Sequence, residues 1–551
     1  MNQIPRRVPV VFLAGFFLLA QTGWAQTKLP ADLDDQYRAG LAADYQAADG
    51  SSCRRVDSRL AFSWQQAGPD SRLTPGPFSG TWEGYLMSQV QGPYRLAAYV
   101  KGQLQLKLND QLVLDGNTSE ASWLVSKPIE LPFDWHPVSI TYRSSNGAGK
   151  LVLYWTGPGF EWEPVDPRQW YHDANRTVSD TFDRGYQLVR AMRCTQCHEI
   201  PGQPPAARGP ALQHLRGTMD PGWLIGRLVG THQPAPDQHR MPDFDLNRSQ
   251  AAAIAAYLWS QSKPLSLELK EKVKPAKKNK KGEKPRTKGE VKAGQRLFMT
   301  SGCLACHQVG KLGTANLFGG GSLNGIADKR TGDFFASWLE SPRRINPHHR
   351  MPRFKMKPLE RLDLAEYLKT LSSDSNEQSD FDGKFTAQQV EQGRELVQKF
   401  RCTSCHETNQ KVLPAPVANR LPLAQAKWQT GCSGPGQSNP TQPRYRLSVK
   451  DQLAIQEVIT DALTSSRSLP AKQARQPVTV DASQLLREQN CLACHARYRE
   501  EGIAPHLPAV AVADTALASL LPAMTPPSLN SVGDKLTDKA LRAAIARSDP
   551  V

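Results

Sequence analysis

Long apolar runs are scarce in this 551-residue chain. The run near the N-terminus, Val8 to Ala20, is shorter than the roughly 20 residues that a membrane-spanning helix needs. Two arginines precede it and the small-x-small sequence Gly23-Trp24-Ala25 follows, so we predict that residues 1–25 are a cleaved signal peptide. An uncleaved anchor is the alternative. No later stretch is apolar enough to span a bilayer, which predicts a periplasmic or secreted protein with no spanning segment after cleavage.

Cysteine outside one repeated pattern is equally scarce. Only Cys53 and Cys432 stand alone, in different segments, so a disulfide framework is excluded and a bond between these two is unsupported. The other eight cysteines form four copies of Cys-x-x-Cys-His: Cys194-Cys197-His198, Cys303-Cys306-His307, Cys402-Cys405-His406 and Cys491-Cys494-His495. The copies lie roughly a hundred residues apart, whereas a zinc knuckle needs a second pair nearby. A thioredoxin-like redox pair does not need the His, and one chain seldom carries four.

The spacing of these motifs suits covalent attachment of c-type haem. Residues i and i+3 share one face of a helical turn, so two thiols there can form thioethers with one porphyrin. The following His can bind the iron as its proximal ligand. We therefore predict four covalently attached haems, with His198, His307, His406 and His495 as iron ligands. Export agrees with this prediction, because attachment in bacteria takes place outside the cytoplasm.

The net charge of +16 is unevenly distributed. Residues Lys263 to Lys288 contain ten lysines and one arginine against three glutamates, a net charge of +8. Such a segment, which also contains Pro and Gly, cannot bury apolar surface and is predicted to be a disordered linker. A solvated tether that contacts anionic lipid or an acidic redox partner is favoured. A nucleic-acid-binding tail is the alternative, which export disfavours.

The four motifs belong to internal repeats. Nine residues before each first cysteine stands a small residue, followed by apolar residues three and four positions later, as on one face of a short helix. The small residues are Gly185, Gly294, Gly393 and Ala482. Helical patterns at 252–259 and 359–368, with Tyr257 and Tyr367, are predicted to cross the helices of the first and second copies. This arrangement resembles the class I cytochrome c fold. The resemblance implies cytochrome c domains at 177–262, 289–373, 385–470 and, incompletely, 478–551.

A distal iron ligand is expected between the two helices of each repeat. Arg-Met-Pro-x-Phe occurs twice, with Met241 and Met351 each about 44 residues after the haem His. A thioether on a loop is a soft neutral ligand that raises the potential of a His/Met iron, so both methionines are predicted ligands. The alternatives are that they fill the core, or that His239, His348 or His349 binds instead.

The third and fourth copies depart from this pattern. Between Glu407 and Asn490 the sequence has neither Met nor His, Gln442 stands where Met is expected, and Cys432 is the remaining soft ligand. The third haem is thus predicted to be Cys-ligated, weakly ligated or open, or else to serve only as a wire. In the fourth copy, the residue that matches Pro342 is Pro550, next to the last residue. Either the sequence is a fragment or the fourth haem lacks its distal half.

Residues 30–172 contain no haem motif. Short alternating runs, such as 104–108 and 151–155, are separated by Gly and Asn-Asp turns, which predicts an all-β sandwich. The order of aromatic and glycine positions, including Trp82-Glu83-Gly84-Tyr85 and Gly92-Pro93-Tyr94, resembles the PA14 domain family. Some members bind sugars through calcium held by an Asp pair. The corresponding loop here, Tyr99 to Gly102, has no acidic pair, which disfavours calcium-dependent sugar binding.

Together these features predict a multidomain fold, an all-β sandwich followed by small all-α cytochrome c domains. The chain resembles the PA14-plus-cytochrome c proteins of planctomycete-like bacteria. The resemblance implies electron transfer with redox partner proteins, and a PA14-like domain that docks on carbohydrate or a cell surface. Two other functions stay open: a haem enzyme acting at the Met-less third haem, and an adhesion or carbohydrate-binding protein. No nucleic-acid partner is expected.

Overall fold

A computed structural model describes residues 36–65, 68–70, 72–176, 181–200, 206–230, 240–271, 273, 286–373, 384–409, 421–422, 432–434, 444–464, 482–497, 500–530 and 532–548. The predicted signal peptide lies outside the described residues. Within them, no helix combines the length and the apolar character that crossing a membrane requires.

The N-terminal part of the described chain is an antiparallel β domain. Its strands are β1 (Tyr37–Ala39), β2 (Leu41–Ala47), β3 (Ser52–Asp57), β4 (Ala61–Trp64), β5 (Phe78–Ser88), β6 (Gly92–Leu108), β7 (Gln111–Val125), β8 (Ile129–Leu131), β9 (Asp134–Ser144), β10 (Gly149–Gly157), β11 (Phe160–Pro164) and β12 (Trp170–Asp173). The central order is β1-β12-β5-β9-β6-β10-β11, and the remaining strands pair at the sides. The predicted all-β architecture is confirmed.

The long strand β6 joins two halves of this sheet. Its residues 95–101 pair with β10, whereas residues 103–108 pair with β9. The change of partner falls at Gly102, which has φ of +126° and where a Cβ would meet the Tyr142 ring and the Arg143 carbonyl. Only glycine adopts this conformation without strain, so it permits the bend.

A buried carboxylate anchors the core of the β domain. Asp57 is 8% exposed and accepts hydrogen bonds from Tyr45 Oη at 2.6 Å, Trp82 Nε1 at 2.8 Å and Arg55 Nε at 2.8 Å. Trp82 and Tyr45 are themselves fully buried. Because a buried charge is tolerated only when it is paired and hydrogen-bonded, these donors fix the aromatic residues around Asp57.

Helices dominate the rest of the described chain. Those before residue 374 are α1 (Thr181–Ala191), α2 (Pro221–Val229), α3 (Arg248–Ser260), α4 (Val291–Thr300), α5 (Ile326–Lys329), α6 (Phe334–Glu340), α7 (Pro342–Ile345) and α8 (Pro358–Lys369). Those after it are α9 (Ala387–Lys399), α10 (Cys402–Cys405), α11 (Val449–Thr464), α12 (Ala482–Glu488), α13 (Cys491–Cys494), α14 (Leu507–Ala513), α15 (Leu521–Met524), α16 (Val532–Lys535) and α17 (Asp538–Ser548). Short strands β13 (His198–Glu199), β14 (His307–Val309), β15 (Leu312–Gly313), β16 (Gly321–Ser322) and β17 (Leu421–Pro422) lie between them.

Three long helices that carry the repeat glycines each cross another helix closely. A Cβ at Gly294 in α4 would overlap the carbonyl of Asp363 in α8, as expected for the second repeat. A Cβ at Gly185 in α1 would instead overlap the carbonyl of Ala454 in α11, and one at Gly393 in α9 that of Ala253 in α3. The prediction that 252–259 crosses the helix of its own repeat is therefore wrong. The first and third repeats exchange partners.

The ends of the predicted disordered linker also differ from expectation. Leu265 and Leu267 are partly buried against the core of the second repeat. The amides of Lys270 and Glu271 donate to the Glu340 carboxylate at 3.1 and 3.0 Å. Two apolar side chains and a carboxylate that accepts backbone amides are enough to fix residues 263–271, although the surrounding composition is basic. Most of the lysine run lies outside the described residues.

Candidate functional site

The residue immediately before each Cys-x-x-Cys-His motif has a left-handed backbone conformation. These residues are Arg193 (φ 60°), Gly302 (φ 81°), Arg401 (φ 54°) and Asn490 (φ 61°). The reversal ends the preceding helix, and a single tight turn then contains both cysteines. The motif His leaves this turn in an extended conformation at His406 and His495. Both thiols therefore come from one turn, with the imidazole directly after it.

Three of the four motif imidazoles are oriented by a backbone carbonyl. The Nδ1 atoms of His406, His495 and His307 lie 2.7, 2.8 and 3.2 Å from the carbonyl oxygens of Pro210, Pro527 and Gly321. Because a carbonyl only accepts, Nδ1 must donate, which leaves Nε2 as the free lone pair for a metal. Burial lowers the pKa of His307 and of His406, which favours the neutral imidazole that binds iron.

Glycines keep the space beside two of these rings open. A Cβ at Gly320 would overlap the His307 ring, and one at Gly209 would lie 3.0 Å from Cε1 of His406. Gly209 also donates its amide to the Cys405 carbonyl at 2.8 Å. Close backbone approach next to the imidazole fits a flat group held against the motif.

The thiols of the four motifs are buried, and the motifs lie close to one another in two pairs. No disulfide joins any of the ten cysteines. Burial raises the pKa of Cys306 to about 12, and the next contribution comes from Cys494 of the fourth motif. Burial raises the pKa of Cys405 to about 11, and the next contribution comes from Cys197 of the first motif. The second motif therefore lies near the fourth, and the third near the first.

A group of half-buried arginines lies between these motifs. Burial, together with the neighbouring charges of Arg193 and Arg350, lowers the pKa of Arg240 to about 10. Arg193 donates to the Ala207 carbonyl, and Arg350 lies over the Phe318 ring with Glu488 as a favourable charge partner. Desolvated cations that face one another are stabilised by anions. The two carboxylates that each haem carries match this requirement. The arginines of this part of the chain therefore suit a bound haem.

Met351 occupies the position expected of a ligand in the second repeat. It packs in one core with Cys303 and Cys306, and its Sδ accepts a hydrogen bond from Trp338 Nε1 at 3.0 Å. Its rival His348 places Nε2 at 2.6 Å from a carboxylate oxygen of Glu407, next to the third motif. His348 therefore contacts another repeat, and Met351 stays the predicted ligand.

Met241 lies between residues that face the third repeat. Phe244 packs edge-on against Phe400, with ring centroids 5.3 Å apart. Asp243 pairs with Arg444 through two backbone hydrogen bonds of 2.7 Å. On its other side, Arg240 donates to the Gly319 carbonyl at 2.7 Å. The rival His239 and the aligned Gln442 lie outside the described residues.

Cys432 lies beside the first motif. Burial raises the pKa of Cys194, and Cys432 makes the next contribution. Tyr445 connects the two, because its amide donates to the Cys432 carbonyl at 2.8 Å and its hydroxyl to the Met192 carbonyl at 2.7 Å. The expectation that Cys432 is the soft ligand near the third motif differs from this arrangement.

Known families match both parts of the chain. The PA14 domain family matches residues 35–168, and the cytochrome c family matches residues 182–262 and 291–372. The chain combines a PA14 domain with cytochrome c domains. The resemblance to PA14 and cytochrome c domains is thereby confirmed for these residues, and cytochrome c domains carry covalently bound haem c. No curated protein matches the chain closely enough to count as a relative.

Solved structures resemble the PA14 part. An anti-sigma factor domain-containing protein from Clostridium clariflavum is 26% identical over 24% of this chain and 48% of its own, with a TM-score of 0.23. The chain thus spans about half the length of that protein. The PA14 domain of the MpAFP antifreeze protein is 10% identical over 26% of this chain and 96% of its own length, with a TM-score of 0.23. A PA14 sugar-binding domain from an RTX adhesin is 16% identical over 24% of this chain and 98% of its own length, with a TM-score of 0.22.

Sequence reasoning missed helix α11 as a crossing partner. In the other two crossings the helix places Tyr257 or Tyr367 against the repeat glycine, whereas α11 places Val458 there. The aromatic residue used to recognise the partner is absent from α11, although its small residue Ala454 was a usable signal.

Proposed function

We propose that the chain is an exported c-type cytochrome with four covalently attached haems, which transfers electrons between redox partner proteins. The pairing of the four motifs is the observation that supports this most strongly. Electrons pass between groups only when these lie close together. Cys494 of the fourth motif packs in the same core as Cys303 and Cys306 of the second, and Cys197 of the first motif lies close enough to raise the pKa of Cys405 in the third.

Contacts between the two pairs of motifs support a continuous path. His348 of the second repeat meets Glu407, which directly follows the third motif. Arg190 of the first repeat forms a buried ion pair with Glu488 of the fourth, Nε to Oε1 at 2.6 Å. These contacts hold the repeats in fixed relative positions, as transfer between neighbouring sites requires.

The haem supplies reversible one-electron chemistry at its iron. The chain's own residues do the rest. Carbonyl groups orient the imidazoles, glycines leave room beside the rings, and the arginines Arg193, Arg240 and Arg350 balance the negative charge of the haem carboxylates. Burial of the motifs restricts water and keeps the potential sensitive to the distal ligand.

Intact-mass spectrometry of the exported full-length chain tests the proposal. The mass should exceed that of the processed polypeptide by four haems, and each Cys-to-Ala pair should remove one of them. A redox titration should then resolve several one-electron steps. A bare polypeptide that binds zinc through the motifs would contradict the proposal.

A docking role for the PA14 domain is supported by an exposed aromatic cluster. Trp123 on β7 is 54% exposed, and its ring centroid lies 5.0 Å from that of Tyr99 on β6 and 5.1 Å from that of Tyr154 on β10. Lys150 covers the Tyr99 ring at 4.9 Å. Aromatic faces beside a cation suit sugar rings, so we propose carbohydrate or a cell surface as the second partner.

Glycan binding by the full chain tests this role. Trp123→Ala should abolish binding, while Trp162→Ala, at an exposed tryptophan outside the cluster, should leave it unchanged. Binding that survives Trp123→Ala would move the site elsewhere. An adhesion protein without redox activity would require glycan binding together with a chain that takes up no haem.

A further inference from the structure

The apolar core around the third motif is built from the first repeat. Cys402 packs with side chains of its own repeat, namely Phe385, Val390, Leu396, Val397 and Phe400, and all other members of the cluster come from residues 212–259. The members from that range include Leu215, Leu224, Leu246, Ile254 and Tyr257. The third repeat's own later segment contributes no residue to this cluster as the structure describes it.

Residues of the first repeat also make the polar contacts around His406. Pro210 accepts from its Nδ1, and the Leu212 amide donates to the Glu407 carbonyl at 2.8 Å. Asn409 Nδ2 donates to the carbonyls of Gln213 and Gln261 at 2.7 and 2.9 Å. The imidazole of the third motif is therefore oriented by a residue of the first repeat.

The core around the first motif is reciprocal. Cys194 packs with Val189 and Met192, and with Ala454, Ile455, Val458 and Ile459 of α11. Strand β13, which contains His198, pairs in parallel with β17. Arg184 of α1 also forms an ion pair with Asp451 of α11 at 2.9 Å.

The same exchange relates the loops that follow the motifs. Asp243 and Arg444 occupy matching positions after the Met241 and Gln442 sites, and they pair with each other through both backbone hydrogen bonds. Phe244 contacts Phe400, seven residues after Gly393, while the matching Tyr445 contacts Met192, seven residues after Gly185. Equivalent contacts on both sides define a two-fold relation between the repeats.

We propose that the first and third repeats exchange their distal halves, so that Met241 binds the iron held by His406 and the iron held by His198 has no methionine. The proposal rests on haem attachment at these motifs, as stated above. The Met-less site predicted at the third motif thus moves to the first motif, where Cys432 and Tyr445 stand. The second repeat closes on itself and retains Met351.

An iron without a strong distal ligand accepts added ligands. Carbon monoxide on the reduced protein and cyanide on the oxidised protein should therefore bind at the first haem before the third. A thiolate from Cys432 would resist carbon monoxide, and Cys432→Ala would then open the same first site.

Oxidation footprinting of the full-length holoprotein tests the exchange, because an iron-bound thioether resists chloramine-T. Two variants each lack one haem: Cys402→Ala with Cys405→Ala, and Cys194→Ala with Cys197→Ala. Met241 should be protected in the wild type and in the variant without the first haem, and oxidised in the variant without the third. Met351 should stay protected throughout, as the internal control.

The near-infrared sulfur-to-iron band gives an independent readout. It should fall by about half when the third haem is removed, and Met241→Ala should cause no further loss in that background. Protection of Met241 that depends on the first haem would overturn the exchange, and so would oxidation of Met241 in the wild type. A wild-type mass with fewer than four haems would contradict the proposed function instead.

Variants that keep all four haems provide a second test if the haem-deficient chains do not fold. Gly393→Ala pushes α3 away from α9, and Gly185→Ala pushes α11 away from α1. Met241 should become oxidisable in the first variant and stay protected in the second. The reverse pattern would overturn the proposal.

Discussion

The second and first repeats of this chain share one helix pattern and close it in different ways. In the second repeat, Gly294 meets α8 of the same repeat, about seventy residues later. In the first, Gly185 meets α11 of the third repeat, and the third repeat's Gly393 returns the contact through α3. The two arrangements use the same glycine, the same kind of helix and the same backbone carbonyl contact.

The comparison teaches that a repeat boundary in sequence need not be a boundary in space. A glycine that packs on a backbone carbonyl accepts any helix with a small residue at the crossing. The glycine Cα and the carbonyl oxygen that it meets are the same in every repeat. The choice of partner then depends on neighbouring contacts. Arg184 with Asp451 favours α11 for α1, and Phe400 with Phe244 brings the Met241 loop to α9.

The largest expected effect comes from separating the two pairs of repeats. Arg190→Met leaves Glu488 buried without its ion pair, which should destabilise the contact between first and fourth repeats by about 3–5 kcal/mol. Denaturant unfolding should split into two transitions. Arg184→Met removes a more exposed pair within the first and third repeats and should cost about 1 kcal/mol or less. A single unshifted transition in Arg190→Met would contradict this expectation.

The same ion pair predicts a pH dependence. Burial raises the pKa of Glu488, but hydrogen bonds from Arg190 and Gln484 outweigh it and the pKa is lowered. Because the native carboxyl has the lower pKa, its stabilisation is complete above about pH 4.3, the ordinary Glu value, and is lost as pH falls through the native pKa. In Arg190→Met this acid-side loss should become smaller, because only Gln484 and Arg350 still lower the pKa, as measured by midpoints of unfolding between pH 3 and 7.

Alanine substitutions at the repeat glycines distinguish a repeat whose own helices cross from repeats whose helices cross those of another repeat. Gly393→Ala and Gly294→Ala each place a Cβ against a helix backbone and should cost about 1–3 kcal/mol. Hydrogen exchange should accelerate in α3 only for Gly393→Ala, and in α8 only for Gly294→Ala. Accelerated exchange of α11 without any change in α3 would show that the third repeat closes on itself.

A smaller effect is expected where the two pairs touch near the surface. His348→Ala removes the hydrogen bond to Glu407, and both side chains are about one-third exposed, so stability should fall by about 1 kcal/mol or less. The potential of the third haem should shift because Glu407 follows its ligand His406. His349→Ala, at the neighbouring position, is the comparison variant. An equal shift in both variants would argue against a specific contact.

The smallest effect concerns the sulfur of Met351. Trp338→Phe keeps an aromatic side chain but removes the Nε1 donor, so more electron density stays on Sδ. The potential of one iron should fall slightly and the near-infrared band should shift, with stability almost unchanged. The first and third haems serve as internal references within the same titration. A change in their potentials alone would place Met351 at a different iron.

The sequence by itself determined the fold classes and the domain families. Alternating runs predicted the β domain, and the spacing of Cys303, Cys306 and His307 predicted a turn that presents two thiols and an imidazole, because these patterns act over a few residues. Small residues before each motif predicted close helix crossings for the same reason. Met351 packs against the core of its own repeat, since that repeat closes locally, and its role as an iron ligand stays a prediction.

Tertiary structure alone decided which helix crosses which. The partner of Gly185 lies more than 250 residues away in α11, and no local pattern distinguishes Ala454 from Ala253 as the surface that receives a glycine. The contacts that choose between them, Arg184 with Asp451, Phe244 with Phe400 and Pro210 with His406, join residues whose spacing in the chain carries no period. Repetition made the local units recognisable and, because it made them alike, left their pairing to long-range packing.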